Sequence, residues 1–221
     1  DITNGNGCII IDSVIITQPA AISTVTSQNN ISCDGGSDGS ITLNIFGGIT
    51  DYTITAAGLS QTLSGGISTY TTPNVLSAAN YPYTISDSNG CVYTDNITLT
   101  SPSPISVTET INNVNCYAGN DGNVILSISG GIPTYTENWG LNNASSLSVG
   151  TYNYTVTDNN GCTFTNSVSI TEPTEIQISS TQNNVSTCGA TDGNIDITTS
   201  GGTSPYIFSW NSGQTTEDIA S

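Results

Sequence analysis

The sequence has no Lys, Arg, His or Met among its 221 residues. An average chain carries about 25% charged residues, roughly half of them basic. Here the charge comes only from 17 acidic residues, a formal net charge of −17. These absences exclude whole classes of function. Nucleic-acid binding needs Lys and Arg to neutralise phosphate, and attraction to an anionic membrane surface needs the same residues. A Walker-type nucleotide loop lacks its lysine. Ser-His-Asp and Cys-His catalysis lack their base, and a Lys–Asn isopeptide cross-link lacks its amine. Trypsin-like proteases find no cleavage site. There is no initiating Met, no signal peptide and no apolar run near 18 residues, so no segment reads as inserting directly into a membrane. The chain stops at "NSGQTTEDIAS" (211–221), partway through a pattern completed twice before, and so reads as a piece of a longer protein.

What is present is Thr, Ser, Asn and Gly with Ile and Val as the main apolar partners, a strand-prone mixture with many turns. "CDGGSDGSITLNIFGG" (33–48) recurs as "CYAGNDGNVILSISGG" (116–131) and "CGATDGNIDITTSGG" (188–202). "YPYTISDSNGCVYTDNITLTSP" (81–102) recurs as "TYNYTVTDNNGCTFTNSVSITEP" (151–173), and its tail appears at the start as "TNGNGCIIIDSVIITQP" (3–19). The two cysteine series, 33–116–188 and 8–91–162, step together, which makes the unit a repeat of about 70–80 residues. The first full copy carries an insertion around "AAGLSQTLSGGISTYTTPNVLSA", a lengthened connection. The third has one residue fewer between Cys188 and Asp192.

Within each unit the period is two. Ile41, Leu43 and Ile45 alternate with polar residues, as do Val124, Leu126 and Ile128; Tyr152, Tyr154 and Val156; and Tyr206, Phe208 and Trp210. Each run places one face on a core and one in water. Turn signals separate the runs and no helical period appears, so the expected fold is all-β: a tandem array of Ig-like or fibronectin-III-like Greek-key sandwiches. "SLSVGTYNYTV" reads as a sandwich corner, with Tyr152 entering the next strand. The expected boundaries are 1–19, the last strand of a preceding repeat; 20–102 and 103–173, two sandwiches; and 174–221, the start of a further, truncated repeat. Pro19, Pro102 and Pro173 close the units.

The set C-x-G-x-x-D-G-x-I, S-G-G-x-x-x-Y, G-T-Y-x-Y-T-V-T-D-x-x-G-C and a strand ending in Pro resembles the SprB-type repeat of Bacteroidota cell-surface adhesins, named for gliding motility. The likeness covers nearly the whole chain and is best over 103–173. The first unit departs at "FGGITDY" and in its insertion. The resemblance implies a secreted tandem array, exported by the type IX system and anchored at the outer membrane. It implies contact with external surfaces or polysaccharide through the full-length protein, and no catalysis in the repeats.

Six cysteines at repeat-fixed positions, with no His and no paired C-x-x-C, read as disulfides rather than zinc ligands and fit an oxidising, extracellular setting. The simplest pairing lies within each repeat, Cys33–Cys91 and Cys116–Cys162, with Cys8 and Cys188 pairing outside the sequence or with neighbouring repeats. A sandwich topology could set a repeat's two cysteines at opposite ends, and then a bond such as Cys33–Cys162 would join neighbouring repeats instead. Asp38, Asp121 and Asp192 in the cysteine loops, and Asp87 and Asp158 in the terminal hairpins, read as turn caps with the following glycine at positive φ. Calcium is the alternative, although each loop offers only one or two carboxylates. Glu137 and Asp51 fall at different repeat positions, so no repeated carboxylate dyad is present. Trp139 and Trp210 share one repeat position, where the first unit has Ala56, and alternate with other aromatics as core residues do. The expected function is a structural stalk, and the alternative is a carbohydrate- or calcium-binding module.

Overall fold

Strands form where β-branched and aromatic residues alternate with Thr, Ser and Asn. The structure, a computed structural model, describes residues 1–220, and every regular element among them is a β-strand. The chain divides into two compact units, residues 1–103 and residues 104 onward.

The first unit begins with a small hairpin, β1 (Ile2–Thr3) and β2 (Ile9–Ile10). The sandwich follows with β3 (Ser23–Asn29), β4 (Ser40–Phe46), β5 (Tyr52–Ala56), β6 (Leu59–Leu63), β7 (Thr69–Thr71), β8 (Ala79–Ser86) and β9 (Val92–Leu99). Two antiparallel sheets result, in the orders β3-β4-β7 and β6-β5-β8-β9. The chain changes sheet after β4, after β6 and after β7, a Greek-key path. Ile41, Leu43 and Ile45 of one sheet meet Ile54, Tyr83 and Ile85 of the other in one buried cluster. The insertion seen in the sequence supplies β6, an edge strand on β5 exposed except at Leu63.

The second unit repeats the plan with β10 (Ser106–Asn112), β11 (Asn123–Ser129), β12 (Thr136–Asn138), β13 (Gly150–Thr157) and β14 (Thr163–Ile170). Its sheets are β10-β11 and β12-β13-β14. Val124, Trp139, Leu147, Tyr154, Val156 and Ile170 form the core. Beyond it lie β15 (Gln177–Asn183), β16 (Asn194–Ser200) and β17 (Ile219–Ala220), where no described residue is buried. The alternating run Tyr206–Trp210 forms no strand. Its counterpart β12 is held by β13, and the sequence stops before an equivalent of β13.

The register places the two motifs at opposite ends of each sandwich. At one end Ile31 donates its N–H to Thr100 O at 3.0 Å, and Val114 does the same to Thr171 O at 3.0 Å. The β3–β4 and β10–β11 loops therefore lie where β9 and β14 finish; this is the loop end. At the other end the β8–β9 and β13–β14 hairpins turn, and Ile49 and Ile132 donate to Asp87 and Asp158 there. This is the hairpin end.

Candidate functional site: the two ends of the repeat

At the loop end the chain makes a tight turn. Gly36 N–H donates to Cys33 O and Gly119 N–H to Cys116 O, both at 3.0 Å, with Gly35 and Ala118 at positive φ. The third repeat makes the same turn from Ala190 N–H to Thr187 O at 3.1 Å, with Gly189 at positive φ. Thr187, not Cys188, occupies the place of Cys33 and Cys116. The missing residue before Asp192 is therefore a cysteine moved one position along a loop of constant length.

The loop aspartates close this turn. Asp38 accepts from Ser32 N–H at 3.0 Å and from its hydroxyl; Asp121 accepts from Asn115 N–H at 3.1 Å and from its side-chain amide. Asp192 accepts from Ser186 N–H at 3.0 Å. The Ser32 and Asn115 side chains, then the backbone amides, hold the first two carboxyls below the usual carboxylate range. Ser186 holds down Asp192. The glycine that follows does not take positive φ, contrary to the reading above. A Cβ on Gly122 would stand 2.8 Å from Leu147 O and 2.9 Å from the Ile170 side chain. Glycine is needed here for close approach, because Gly122 exchanges hydrogen bonds with Leu147.

At the hairpin end Asp87 and Asp158 are buried. One oxygen of Asp158 accepts from Asn160 and Cys162 N–H, both at 2.9 Å; the other accepts from Ile132 N–H at 2.8 Å. Asp87 does the same with Asn89, Cys91 and Ile49. The Ile132 amide is the main influence lowering the Asp158 carboxyl, against burial. For Asp87 burial pushes up, and the amides of Ile49, Cys91 and Asn89 together outweigh it. The glycine after the turn, Gly90 or Gly161, is at positive φ as expected. Asn4 plays the same capping part in the first hairpin, accepting from Asn6 and Cys8 N–H.

The hairpin end also carries the Gly-Gly motif. Both glycines of each pair are left-handed: Gly47–Gly48, Gly130–Gly131 and Gly201–Gly202. The tyrosine five residues after the first glycine donates to that glycine's carbonyl in all three copies: Tyr52 to Gly47 at 2.6 Å, Tyr135 to Gly130 at 2.5 Å, and Tyr206 to Gly201. The sequence motif S-G-G-x-x-x-Y is thus one hydrogen-bonded clamp. The expected corner is present as well: Tyr152 donates to Ser148 O at 3.0 Å and Tyr81 to Ser77 O at 2.9 Å.

The cysteines stand apart within each sandwich. Cys33 and Cys162 are disulfide-bonded, whereas Cys8, Cys91, Cys116 and Cys188 are exposed thiols. The within-repeat pairs Cys33–Cys91 and Cys116–Cys162 are not made. Nine residues of extended chain separate Cys91 from Thr100, and Cys162 from Thr171. At ~3.3 Å per residue the two ends of a sandwich are about 30 Å apart, and a disulfide needs Cα atoms within about 7 Å.

Among the described residues no three of His, Cys, Asp and Glu converge as a metal-binding group. The five candidate carboxylates are occupied within the repeat: Asp38, Asp121 and Asp192 accept from their own loops, and Asp87 and Asp158 from their hairpins and from Ile49 and Ile132. Trp139 is packed on Tyr154 at 4.9 Å and only 8% exposed, so its face is not a platform for sugar. One hydrogen-bonded acid, Glu109, escaped the sequence reading. Glu109 accepts from the Tyr154 hydroxyl at 2.5 Å and the Asn166 amide at 2.8 Å. Burial, followed by Glu109, pushes the Tyr154 hydroxyl up to about 12, and Tyr154 in turn lowers Glu109. Glu109 lies on β10, paired with Leu126, and no repeat-fixed signal marks it.

No curated protein matches the chain. The family model of the SprB repeat matches residues 25–56, 108–139 and 179–215. The first two segments run from the first strand, through the cysteine loop and the Gly-Gly clamp, to the position shared by Ala56 and Trp139. The sandwich copies and the matched segments keep the same spacing, so the chain carries the SprB repeat at these three places.

Proposed function

We propose that these repeats form a stalk that holds the adhesive part of a large secreted surface protein away from an outer-membrane anchor, for attachment or gliding. One observation carries this reading: each repeat is built around its two ends. The chain enters at the hairpin end, beside the Gly-Gly clamp, and leaves at the loop end, beside the cysteine turn. The chemistry repeated in the sequence motifs lies at those ends, in turn caps, clamps and cysteines, and not in a cleft. Each sandwich thereby adds about one strand length, ~25–30 Å, to the distance between anchor and tip. Surfaces rich in Thr and Ser and free of bases limit electrostatic sticking along the way.

The test has two arms. The purified 221-residue chain is screened against a polysaccharide array and titrated with Ca²⁺ by calorimetry. Separately, residues 103–173 are excised from the full-length protein in its own cells. A stalk shows no saturable binding in the first arm and retains surface attachment in the second. Saturable binding of a glycan or of Ca²⁺ by the chain, or loss of attachment after removal of one repeat, would make the repeats binding modules instead.

A further inference from the structure

We infer that the first and last strands of each sandwich are joined by a mechanical latch, Asn30–Ile31 with Thr100 in the first unit and Asn113–Val114 with Thr171 in the second, which takes the load when a sandwich is pulled by its two ends. The stalk reading supplies the source of that load; the latch itself rests on geometry within each unit. Ile31 N–H donates to Thr100 O and Val114 N–H to Thr171 O, both at 3.0 Å. In return Thr100 N–H donates to Asn30 Oδ1 at 3.0 Å, and Thr171 N–H to Asn113 Oδ1 at 2.9 Å. The asparagine side chain supplies the acceptor that makes each pair reciprocal. Ile31 and Val114 are each 3% exposed, so the latch is anchored in the core. Its residues recur in the sequence: Asn-Asn followed by Ile or Val at 29–31, 112–114 and 183–185, and Thr-x-Pro at 17–19, 100–102 and 171–173. The first asparagine bonds across its own sheet, Asn29 to Ser40 and Asn112 to Asn123. The second reaches the last strand.

The direction of the strands turns this pair into a latch. β3 and β10 start at the hairpin end, where Gly48 N–H donates to Ala20 O at 2.7 Å and a Cβ on Gly131 would stand 2.8 Å from the Ile105 side chain. Both finish at the loop end. β9 and β14 run the same way, from their hairpins to Thr100 and Thr171. The first and last strands of a sandwich are therefore parallel, although they belong to different sheets. The chain enters on one and leaves on the other, so tension draws the first strand toward the hairpin end and the last toward the loop end. Bonds between them are loaded along the strands, share the force and fail together, whereas bonds loaded across a hairpin open one at a time. A second tie lies along the same seam in each sandwich. Gln28 Nε2 donates to Thr98 O at 3.1 Å, and Asn166 Nδ2 donates to Glu109 Oε1 at 2.8 Å. Glu109, which no repeat pattern marks, thereby joins first strand to last.

The test holds the whole chain by its two termini at constant force, in reductant, and records the rupture rate of each sandwich. The two are told apart by the length released, because the first carries the insertion with β6. Asn113→Ala should speed rupture of the second sandwich about two- to tenfold, the effect of one hydrogen bond lost from the barrier. Asn30→Ala should do the same to the first sandwich, an independent copy that decides the question if one alanine variant fails to fold by circular dichroism. Asn113→Asp, which keeps an acceptor oxygen for Thr171 N–H, should stay near the parent rate. Tyr152→Phe is the control. It removes the corner hydrogen bond to Ser148 O, which is local and lies off the seam, so it should lower Tm by a comparable amount and leave the rupture rate unchanged. Equal acceleration by Tyr152→Phe and Asn113→Ala, or parent-like rupture rates in the folded alanine variants, overturns the inference. None of these outcomes depends on what the chain binds or on whether cells attach, so the latch and the stalk reading fail separately.

Discussion

A single carboxylate organises each hairpin end. Asp158 satisfies three backbone amides, and its folded-state pKa lies below the unfolded value. Its stabilising effect is therefore complete above the unfolded pKa, near 3.9, and is lost as pH falls through the lower folded value. Protonation of the other acids works the opposite way, because it relieves the self-repulsion of a chain with 17 acidic residues and no base. The informative comparison is therefore between variants. Asp158→Asn keeps one acceptor oxygen for Asn160 and Cys162, as Asn4 does in the first hairpin, but loses the acceptor for Ile132. Its thermal midpoint should lie several degrees below the parent at pH 7, and the two should converge as pH falls through the lowered pKa of the folded Asp158. A gap that stays constant with pH would contradict this role. Tyr154 has the opposite sign. Its hydroxyl is held protonated up to about 12, so its contribution is present below pH 10 and lost as pH rises through 12. Glu109→Gln should weaken that alkaline dependence, measured by the tyrosinate absorbance on titration.

The strand faces were legible in the sequence because a period of two needs no knowledge of partners: Ile41, Leu43, Ile45, Tyr154 and Val156 are all buried as their alternation implies. Roles fixed by a distant partner were not. Gly122 reads as a turn glycine beside Asp121, yet its constraint is the Leu147 carbonyl 25 residues on. Cys188 aligns with Cys33 by residue type, while the turn hydrogen bonds align it with Asp34. Cysteine pairing depends on which end of the sandwich each turn occupies. That follows from register, and the repeat pattern alone left both pairings open.

At the scale of elements, the Gly-Gly clamp joins the end of one strand to the start of the next and to the hairpin. Gly131 has φ of 58°, and a Cβ there would meet Asp158 and Ile105. Gly131→Ala should destabilise the second sandwich by about 1–3 kcal/mol from backbone strain, with the clash adding to it. Removing only the clamp hydrogen bond, by Tyr135→Phe, should cost about 0.5–1.5 kcal/mol. For a domain of this size the latter is a fall of several degrees in Tm by calorimetry. An unchanged midpoint in both variants would show that the clamp does not matter to the fold. The family match in the first two copies ends before the terminal hairpin, yet that hairpin supplies the Asp87 and Asp158 carboxylates that hold the Ile49 and Ile132 amides. β6 marks the contrast, since it decorates one edge of the first sandwich, is largely exposed, and has no counterpart in the second unit.

At the scale of the whole molecule, composition, repeat and fold point the same way. Bases are absent, no helix among the described residues is long and apolar enough to cross a membrane, and polar chemistry is concentrated at the ends of the repeats. Under the proposed stalk role, force along the array passes through each sandwich from its hairpin end to its loop end. Pulling the 221-residue chain by its two termini in a single-molecule force experiment, in reductant, tests this most directly. The account predicts two cooperative rupture events, one for each sandwich, each releasing roughly 23–29 nm of contour from ~65–80 residues at up to ~3.6 Å each. Gradual extension at low force, without cooperative ruptures, would contradict it.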